Sequence, residues 1–302
     1  MAEVTRRVES LSGTSVCPAG IVARFPPVSQ PVSDRKKVTV PDLASWRAEG
    51  RRISMITAYD VTFARLVDRA GVDMILVGDS VGMVVQGTDN TIPVDLDEMV
   101  YHVRCVARAR TKALVVGDLP FGSYQISPEQ AVASSVSLMK AGAECVKLEG
   151  GLPMADTIAA ITRVDIPVVG HIGLTPQSYH RMGGHRVQGR RDGHEAGGRQ
   201  RLLDDAHAVE QAGACAIVIE GVPQDLAAEI TDKISIPTIG IGAGPSCNGQ
   251  VLVLHDVLGL CDSRYRFVKT YADLASSTVE ATSRFVSEVR DGVFPGPDNS
   301  FN

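Results

Sequence analysis

The sequence predicts an α/β protein folded as a (β/α)8 TIM barrel, and three observations lead to this fold class. An Ala-Gly pair closes a predicted helix three times, and the glycines of the three pairs are evenly spaced. An apolar strand follows each pair and ends on an acid. Strand–helix units then continue to a total of eight, which fits a closed barrel better than an open doubly wound sheet of five or six strands. The pairs are Ala70-Gly71, Ala141-Gly142 and Ala212-Gly213.

The first elements follow from local signals. Residues 38–50 are typical of a short helix, and residues 53–58 of a first strand. Asp60 is predicted to cap the next helix, which ends at Gly71 in the left-handed conformation that glycine favours. The second strand runs into Asp79.

The middle of the chain repeats this order. A helix is predicted near 95–110, and the third strand ends at Asp118. Ser127, followed by proline at the first helical position, is a strong helix start. That helix runs to Gly142, and the fourth strand ends at Glu149.

The second half continues the alternation. The predicted elements are a fifth strand ending at His171, a helix near 201–212, a sixth strand ending at Glu220, a helix after Pro223, a seventh strand at 236–241, an eighth strand at 266–271 and a helix to about 290. The long connection 173–200 is an exception, because loops of this length in compact domains are usually functional or mobile.

Composition predicts a soluble globular enzyme. The 302 residues are 44% apolar and 22% charged, and the net charge of −5 gives no basic stripe for nucleic acid. No apolar run has the length of a membrane helix. Six cysteines without a CxxC pair favour free thiols in a reducing compartment, so we expect a cytoplasmic protein. We expect a disordered tail at 1–36, one barrel domain at 37–290 and a C-terminal tail at 291–302.

The acids at the strand ends are the candidate functional residues. One such acid could simply cap a helix, but the carboxyl ends of barrel strands are where this fold keeps its chemistry. Adjacent strands lie about 4.8 Å apart, so Asp79, Asp118 and Glu149 can reach one point. Three close carboxylates repel one another unless a cation compensates, and oxygen ligands without His or Cys suit Mg²⁺. Glu220, two strands further round, is predicted to be a base aimed at the substrate.

Two further side chains have alternative interpretations. Lys147 shares a strand face with Glu149, and it either pairs structurally with an acid or meets an anionic substrate. His171 is either a core histidine or an active-site residue. The glycine run at 240–244 lacks the context of a dinucleotide site, and we interpret it as a place where a ligand approaches the backbone.

Seven strings, taken in order, resemble the ketopantoate hydroxymethyltransferase (3-methyl-2-oxobutanoate hydroxymethyltransferase) family. The resemblance covers about residues 37–275. The strings are MITAYD (55–60), VGDSVGMVVQG (77–87), DLPFGSY (118–124), VKLEGG (146–151), GHIGLTPQS (170–178), GIGAGP (240–245) and GQVLV (249–253).

The resemblance implies a barrel of the phosphoenolpyruvate/pyruvate superfamily type and one Mg²⁺ per subunit. The metal would be held by Asp79, Asp118 and, directly or through water, Glu149. A 2-oxo acid would chelate it through ketone and carboxylate oxygens. The proton acceptor would be Glu220.

The resemblance also implies the remaining substrate contacts. Ser80 and Lys147 would hold the carboxylate of the oxo acid, and His171 would lie close to the same ligand. The cosubstrate would be 5,10-methylenetetrahydrofolate, the product ketopantoate for pantothenate synthesis, and the assembly a homo-oligomer such as a decamer.

The chain departs from the family pattern in three places. Asn248 stands where the family commonly has Asp, the segment 189–200 is longer and richer in glycine, and the N-terminal lead is unusual. Two rival functions stay open at this point. One is another Mg²⁺ enolate enzyme on the same barrel, such as a carbon–carbon lyase or phosphonomutase, and the other is a catalytically silent scaffold.

Overall fold

The computed structural model describes residues 35–190, 198–261 and 265–301 and confirms the predicted barrel. Eight parallel strands pair in sequence order, and the last pairs with the first to close the sheet. The tail predicted at 1–36 lies outside the described residues as far as residue 34. The strands are β1 (Ile53–Thr57), β2 (Met74–Val77), β3 (Leu114–Asp118), β4 (Cys145–Glu149), β5 (Val168–Gly173), β6 (Ala216–Glu220), β7 (Thr238–Ile241) and β8 (Gly249–Leu252).

The helices precede, connect and follow these strands. None of those in the described ranges is both long enough and apolar enough to cross a membrane. They are α1 (Val40–Ala48), α2 (Val61–Arg69), α3 (Leu96–Ala107), α4 (Pro128–Ala141), α5 (Ala155–Thr162), α6 (Tyr179–Met182), α7 (Gly198–Gln211), α8 (Gln224–Lys233), α9 (Leu254–Val257) and α10 (Leu274–Arg290).

Two apolar cores follow from the alternation of side chains along each strand. Inward residues such as Met55, Val116 and Val218 fill the barrel interior. Outward residues such as Ile75 and Ile217 pack beneath the helices. Because successive side chains point to opposite faces, the inward set continues into polar residues where the strands end.

The predicted helix boundaries are confirmed where a local signal sets them. The Asp60 carboxylate accepts hydrogen bonds from the backbone amides of Thr62 and Phe63 at the start of α2. Ser127 caps α4 by accepting from the Gln130 amide. Gly142, just after α4, has φ +113°, and a Cβ there would lie 2.4 Å from Cβ of Ala107. Only glycine fits this helix end.

The predicted eighth strand at 266–271 is wrong. Residues 266–267 form a turn, and the strand that closes the barrel is β8. Residues 242–248 join β7 to β8 without a helix between them. Gly249 lets β8 approach β1, because a Cβ there would lie 2.4 Å from the Ile53 carbonyl oxygen. The expectation failed because it required a helix after every strand.

The long connection after β5 is partly structured. A 3-10 turn at Pro176–Ser178 leads into α6. Residues 191–197, the centre of the glycine-rich segment, lie outside the described residues. Cys105, Cys145, Cys215 and Cys247 are free thiols.

Candidate active site

All seven predicted site residues line one cavity of about 1150 Å³ at the carboxyl ends of the strands. Five of them occupy inward positions at the ends of β3, β4, β5 and β6, and the other two lie in the loop that follows β2. The seven are Asp79, Ser80, Asp118, Lys147, Glu149, His171 and Glu220.

Lys147 pairs with Asp118 inside the barrel. The two residues face each other in the register of β3 and β4, and Lys147 Nζ lies 2.6 Å from Asp118 Oδ1. Their side chains are only 5% and 1% exposed. Burial disfavours the ammonium ion, but the facing carboxylates outweigh it and raise the pKa of Lys147. The lysine is therefore a fixed positive charge beside the acids.

Asp79 and Asp118 are joined directly. The backbone amide of Asp79 donates to Asp118 Oδ2 at 3.2 Å. Burial, together with repulsion from Asp118 and Glu149, raises the pKa of Asp79 well above its usual value. Burial also raises the pKa of Asp118, although Lys147 opposes the shift. The ionised carboxylates therefore destabilise each other here, and a bound cation would relieve this.

His171 lies between two carboxylates. Its Nδ1 is 3.4 Å from Glu149 Oε1, and its Nε2 is 3.2 Å from Glu220 Oε2. Burial opposes the charged ring, but the two acids prevail and raise the pKa of His171 to about 9. Burial likewise opposes ionisation of Glu149, yet the contact with His171 lowers its pKa. The two carboxylates therefore favour the charged form of His171, which lies within ion-pair distance of both Glu149 and Glu220.

Gln177 is a site residue to which sequence reasoning gave no role. Its side-chain Nε2 donates to Asp79 Oδ2 at 2.9 Å and to the Leu119 carbonyl at 3.0 Å. Its backbone amide donates to Glu149 Oε2 at 2.9 Å. The Tyr124 hydroxyl in turn donates to Gln177 Oε1 at 2.7 Å. Both residues lie in strings that carry the family resemblance, which is the signal that could have singled them out.

Ser80 is positioned by a buried aromatic residue. The Tyr59 hydroxyl lies 2.9 Å from Ser80 Oγ. The Tyr59 ring packs against His255 at a centroid distance of 5.7 Å. This packing fixes where the Ser80 hydroxyl can point.

The acids do not form a closed ligand cage. Within the described ranges, no three His, Cys, Asp or Glu side chains come close enough together to hold a metal ion. Glu149 contacts His171 and accepts from the Gln177 backbone amide, whereas Asp118 accepts from the backbone amide of Asp79.

Comparison with known proteins places the chain in a family. A relative from Pelobacter propionicus, called 3-methyl-2-oxobutanoate hydroxymethyltransferase, is 57% identical over 270 residues, which cover 89% of this chain and 98% of the relative. A relative of the same name from Trichlorobacter lovleyi is 56% identical over 270 residues and is covered completely.

Solved structures resemble the chain in fold alone. A phosphonopyruvate hydrolase complexed with oxalate and Mg²⁺ aligns with a TM-score of 0.56 at 14% identity, covering 87% of this chain and 93% of that one. A 2,3-dimethylmalate lyase of the PEP mutase/isocitrate lyase superfamily aligns with a TM-score of 0.54 at 15% identity, covering 87% and 91%. The family model for ketopantoate hydroxymethyltransferase matches residues 37–297, and with the relatives above this shows that the chain belongs to the ketopantoate hydroxymethyltransferase family.

Proposed function

We propose that this chain transfers a hydroxymethyl group from 5,10-methylenetetrahydrofolate to 3-methyl-2-oxobutanoate. The product is 2-dehydropantoate (ketopantoate), for pantothenate and coenzyme A biosynthesis. One observation carries the proposal: Asp79, Asp118, Lys147 and Glu220 all line a single cavity. The names of relatives more than half identical in sequence support the choice of substrate.

The donor set fits a divalent cation such as Mg²⁺. Four acids at the strand ends face two cations, Lys147 and His171, so the buried site carries an excess of negative charge. Asp79 and Asp118 would hold the ion directly, and Glu149 would act through water. Hard carboxylate oxygens with positions left for substrate are what Mg²⁺ prefers. When bound, the metal polarises the ketone of the oxo acid.

The chain itself would hold the substrate carboxylate. Lys147 Nζ supplies a buried positive charge next to Asp118, and the Ser80 hydroxyl supplies a hydrogen bond. Because Lys147 and Asp118 are almost completely buried, the contact with Lys147 is stronger than it would be at a surface. Both contacts would orient the oxo acid with its C3 hydrogen towards Glu220.

Glu220 would take the proton from C3. Its side chain is 14% exposed and lines the cavity. His171 Nε2 lies 3.2 Å from Glu220 Oε2. A positioned carboxylate base typically contributes about 10²–10⁴-fold to rate. The electron pair left at C3 then forms a bond to the methylene carbon of the folate. Both bonds from that carbon to folate nitrogens break, and water supplies the new hydroxyl. The C3 proton and the second water proton go to the two nitrogens.

The direct test supplies the protein with 3-methyl-2-oxobutanoate, methylenetetrahydrofolate and Mg²⁺ and measures product by mass spectrometry. We expect 2-dehydropantoate, and we expect chelation of the metal to stop its formation. A second assay follows deuterium entering C3 of the oxo acid by NMR, without folate. A silent scaffold gives neither signal, and a folded, metal-loaded protein that makes no ketopantoate refutes the proposal.

Substitution of Glu220 tests the base. Glu220→Gln should retain binding of the oxo acid, because the carboxylate contacts are untouched, and should reduce C3 deuterium entry by at least about 10²-fold. Glu280→Gln, at an exposed position on α10, is the matched control. It should catalyse deuterium entry at C3 at the rate of the unmodified protein. Unchanged exchange in Glu220→Gln would show that another group is the base.

A further inference from the structure

The cavity is larger than the oxo acid requires. Pockets of about 300–1,000 Å³ accommodate whole drug-sized ligands, whereas this one measures about 1150 Å³. The strand-end acids occupy its inner part. Its outer part is lined by residues 185–187 and Arg190, which follow α6, and by residues 265–267, which follow α9. The cavity therefore has room for a second, extended ligand beside the proposed oxo acid.

Three arginines, here called the arginine rim, line this outer part: Arg186, Arg190 and Arg266. All three are exposed. In the described part of the chain, none of them has a carboxylate partner within ion-pair distance. By contrast, Arg199 on α7 contacts both Asp225 and Glu229. The rim therefore offers unneutralised guanidinium groups around an otherwise acidic cavity.

Aromatic rings connect the two sides of the rim. The His185 and Tyr265 rings meet at a centroid distance of 6.3 Å, and Tyr265 stacks on Phe267 at 5.4 Å with an interplanar angle of 14°. Phe267 approaches Gly242 so closely that a Cβ on that glycine would lie 3.0 Å from the ring. Besides burial and Asp256, the charge of Glu220 contributes to raising the pKa of Tyr265, which places this ladder near the proposed base.

We infer that the arginine rim binds the glutamate carboxylates of the folate cosubstrate, while the ladder of His185, Tyr265 and Phe267 packs against its flat rings. A guanidinium group pairs with carboxylate in a two-pronged geometry that lysine cannot reproduce. Flat heteroaromatic rings stack on such ladders, and this would hold the methylene carbon close to Glu220. This inference rests on the proposed function, because it concerns the second substrate of the same site.

The test compares methylenetetrahydrofolate with methylenetetrahydropteroate, which lacks the glutamate. For the unmodified protein we expect a KM about three- to tenfold lower for the folate, as exposed ion pairs are individually weak. In the double variant Arg186→Gln/Arg266→Gln, the KM values for the two substrates should differ by no more than about twofold. The value of kcat should stay the same. Raising salt should mimic the variant, because exposed charges are screened. Arg163→Gln, at the exposed end of α5, is the control.

C3 deuterium entry separates this inference from the proposed function, since it needs no folate. If C3 exchange is normal and the preference for the folate survives in the double variant, the proposed role of the arginine rim is wrong. If no deuterium enters C3 in the unmodified protein, both the proposed function and the proposed role of the arginine rim are wrong. Equilibrium binding of the two reduced pterins, followed by fluorescence, gives the same comparison without turnover. Equal affinities there would also contradict the inference.

Discussion

Gln177 shows how one residue can organise a charged site. Its side chain holds Asp79 and its backbone amide holds Glu149, so the two acids are kept apart and oriented by the same residue. Partners that orient the ligands of a metal matter nearly as much as the ligands themselves. Gln177 is thus a positioning residue for the proposed metal site.

Removal of the Gln177 side chain should weaken metal binding more than it weakens the fold. Gln177→Ala leaves Asp79 without its donor, and we expect a loss of about 10–100-fold in metal affinity, measured with Mn²⁺ by electron paramagnetic resonance. Gln177→Glu, which places a carboxylate against Asp79, should not restore binding by donation. Gln211→Ala, exposed at the end of α7, is the control. Unchanged Mn²⁺ affinity in a folded Gln177→Ala protein would contradict this role.

Asn248, where the family pattern has Asp, has a structural role. Its Oδ1 accepts hydrogen bonds from the backbone amide and the hydroxyl of Thr238, both at 3.1 Å. The backbone amide of Asn248 donates to the same hydroxyl. Thr238 is fully buried. Because Oδ1 acts only as an acceptor in these bonds, an Asp carboxylate can make them equally well.

The pair Asn248→Ala and Asn248→Asp tests this account. The alanine leaves the Thr238 backbone amide without its acceptor, whereas the Thr238 hydroxyl keeps Thr231 Oγ1 at 2.9 Å. The free energy of unfolding should therefore fall by about 1–3 kcal/mol. The aspartate should stay within about 0.5 kcal/mol of the unmodified protein. Urea denaturation measures both changes. An aspartate variant as unstable as the alanine variant would show that the amide group itself is required.

At the scale of the element, the glycines at the helix ends show what a local sequence pattern can and cannot predict. Gly71 and Gly142 both adopt positive φ, +92° and +113°, but only Gly142 is crowded by a neighbouring helix. A regular repeat of Ala-Gly pairs predicted both helix ends correctly. It could not show which of them also serves as a contact between helices.

Substitution by alanine should therefore lower the free energy of unfolding by different amounts at these two glycines. Gly71→Ala meets nothing within 4 Å, so we expect only the left-handed strain of about 1–2 kcal/mol. Gly142→Ala adds a clash with Ala107 on α3 and should cost about 1–3 kcal/mol more. Thermal and urea unfolding measure the difference. Equal losses would mean that α3 and α4 adjust to the added methyl group without cost.

The error at the eighth strand also belongs to this scale. Residues 266–271 (RFVKTY) are rich in aromatic and β-branched residues, which favour strands, whereas β8 is only four residues long and begins with glycine. Its identity is set by pairing with Ile53–Ile56 of β1 and with β7, not by its own pattern. The carboxyl-terminal helix was predicted correctly to about 290, because its helical periodicity is local.

At the scale of the whole molecule, two surfaces are left uncovered by the described residues. The outward residues Ser54 and Gln250 of β1 and β8 are exposed, where the outward residues of β2 to β5 are buried. No residue of α10 is buried, although Val279 and Val289 repeat at helical spacing and are 66% and 47% exposed. We propose that a second copy of the chain covers these two surfaces, as the homo-oligomer implied by the family resemblance would require.

Charge placed on the apolar stripe of α10 should break this association. The double variant Val279→Glu/Val289→Glu should lower the molar mass measured by light scattering after size exclusion. Ser277→Glu, on the opposite side of α10, adds charge without touching the stripe and should keep the mass of the unmodified protein. An unmodified protein that is monomeric, or a double variant of unchanged mass, would contradict the role of α10.

The sequence by itself determined the fold class, the helix ends set by caps and glycines, and the acids at the strand ends, because strand periodicity and capping chemistry are local properties. Ser80 was identified through the family resemblance and not through a local pattern. The sequence also placed Glu220 apart from the paired aspartates, since parallel strands that follow one another in the chain lie side by side in the barrel. Only the tertiary structure decided that β8 closes the sheet, that Lys147 pairs with Asp118 and that Gln177 holds two acids at once. Those facts depend on contacts between residues far apart in the chain, and such contacts leave no pattern in any one segment.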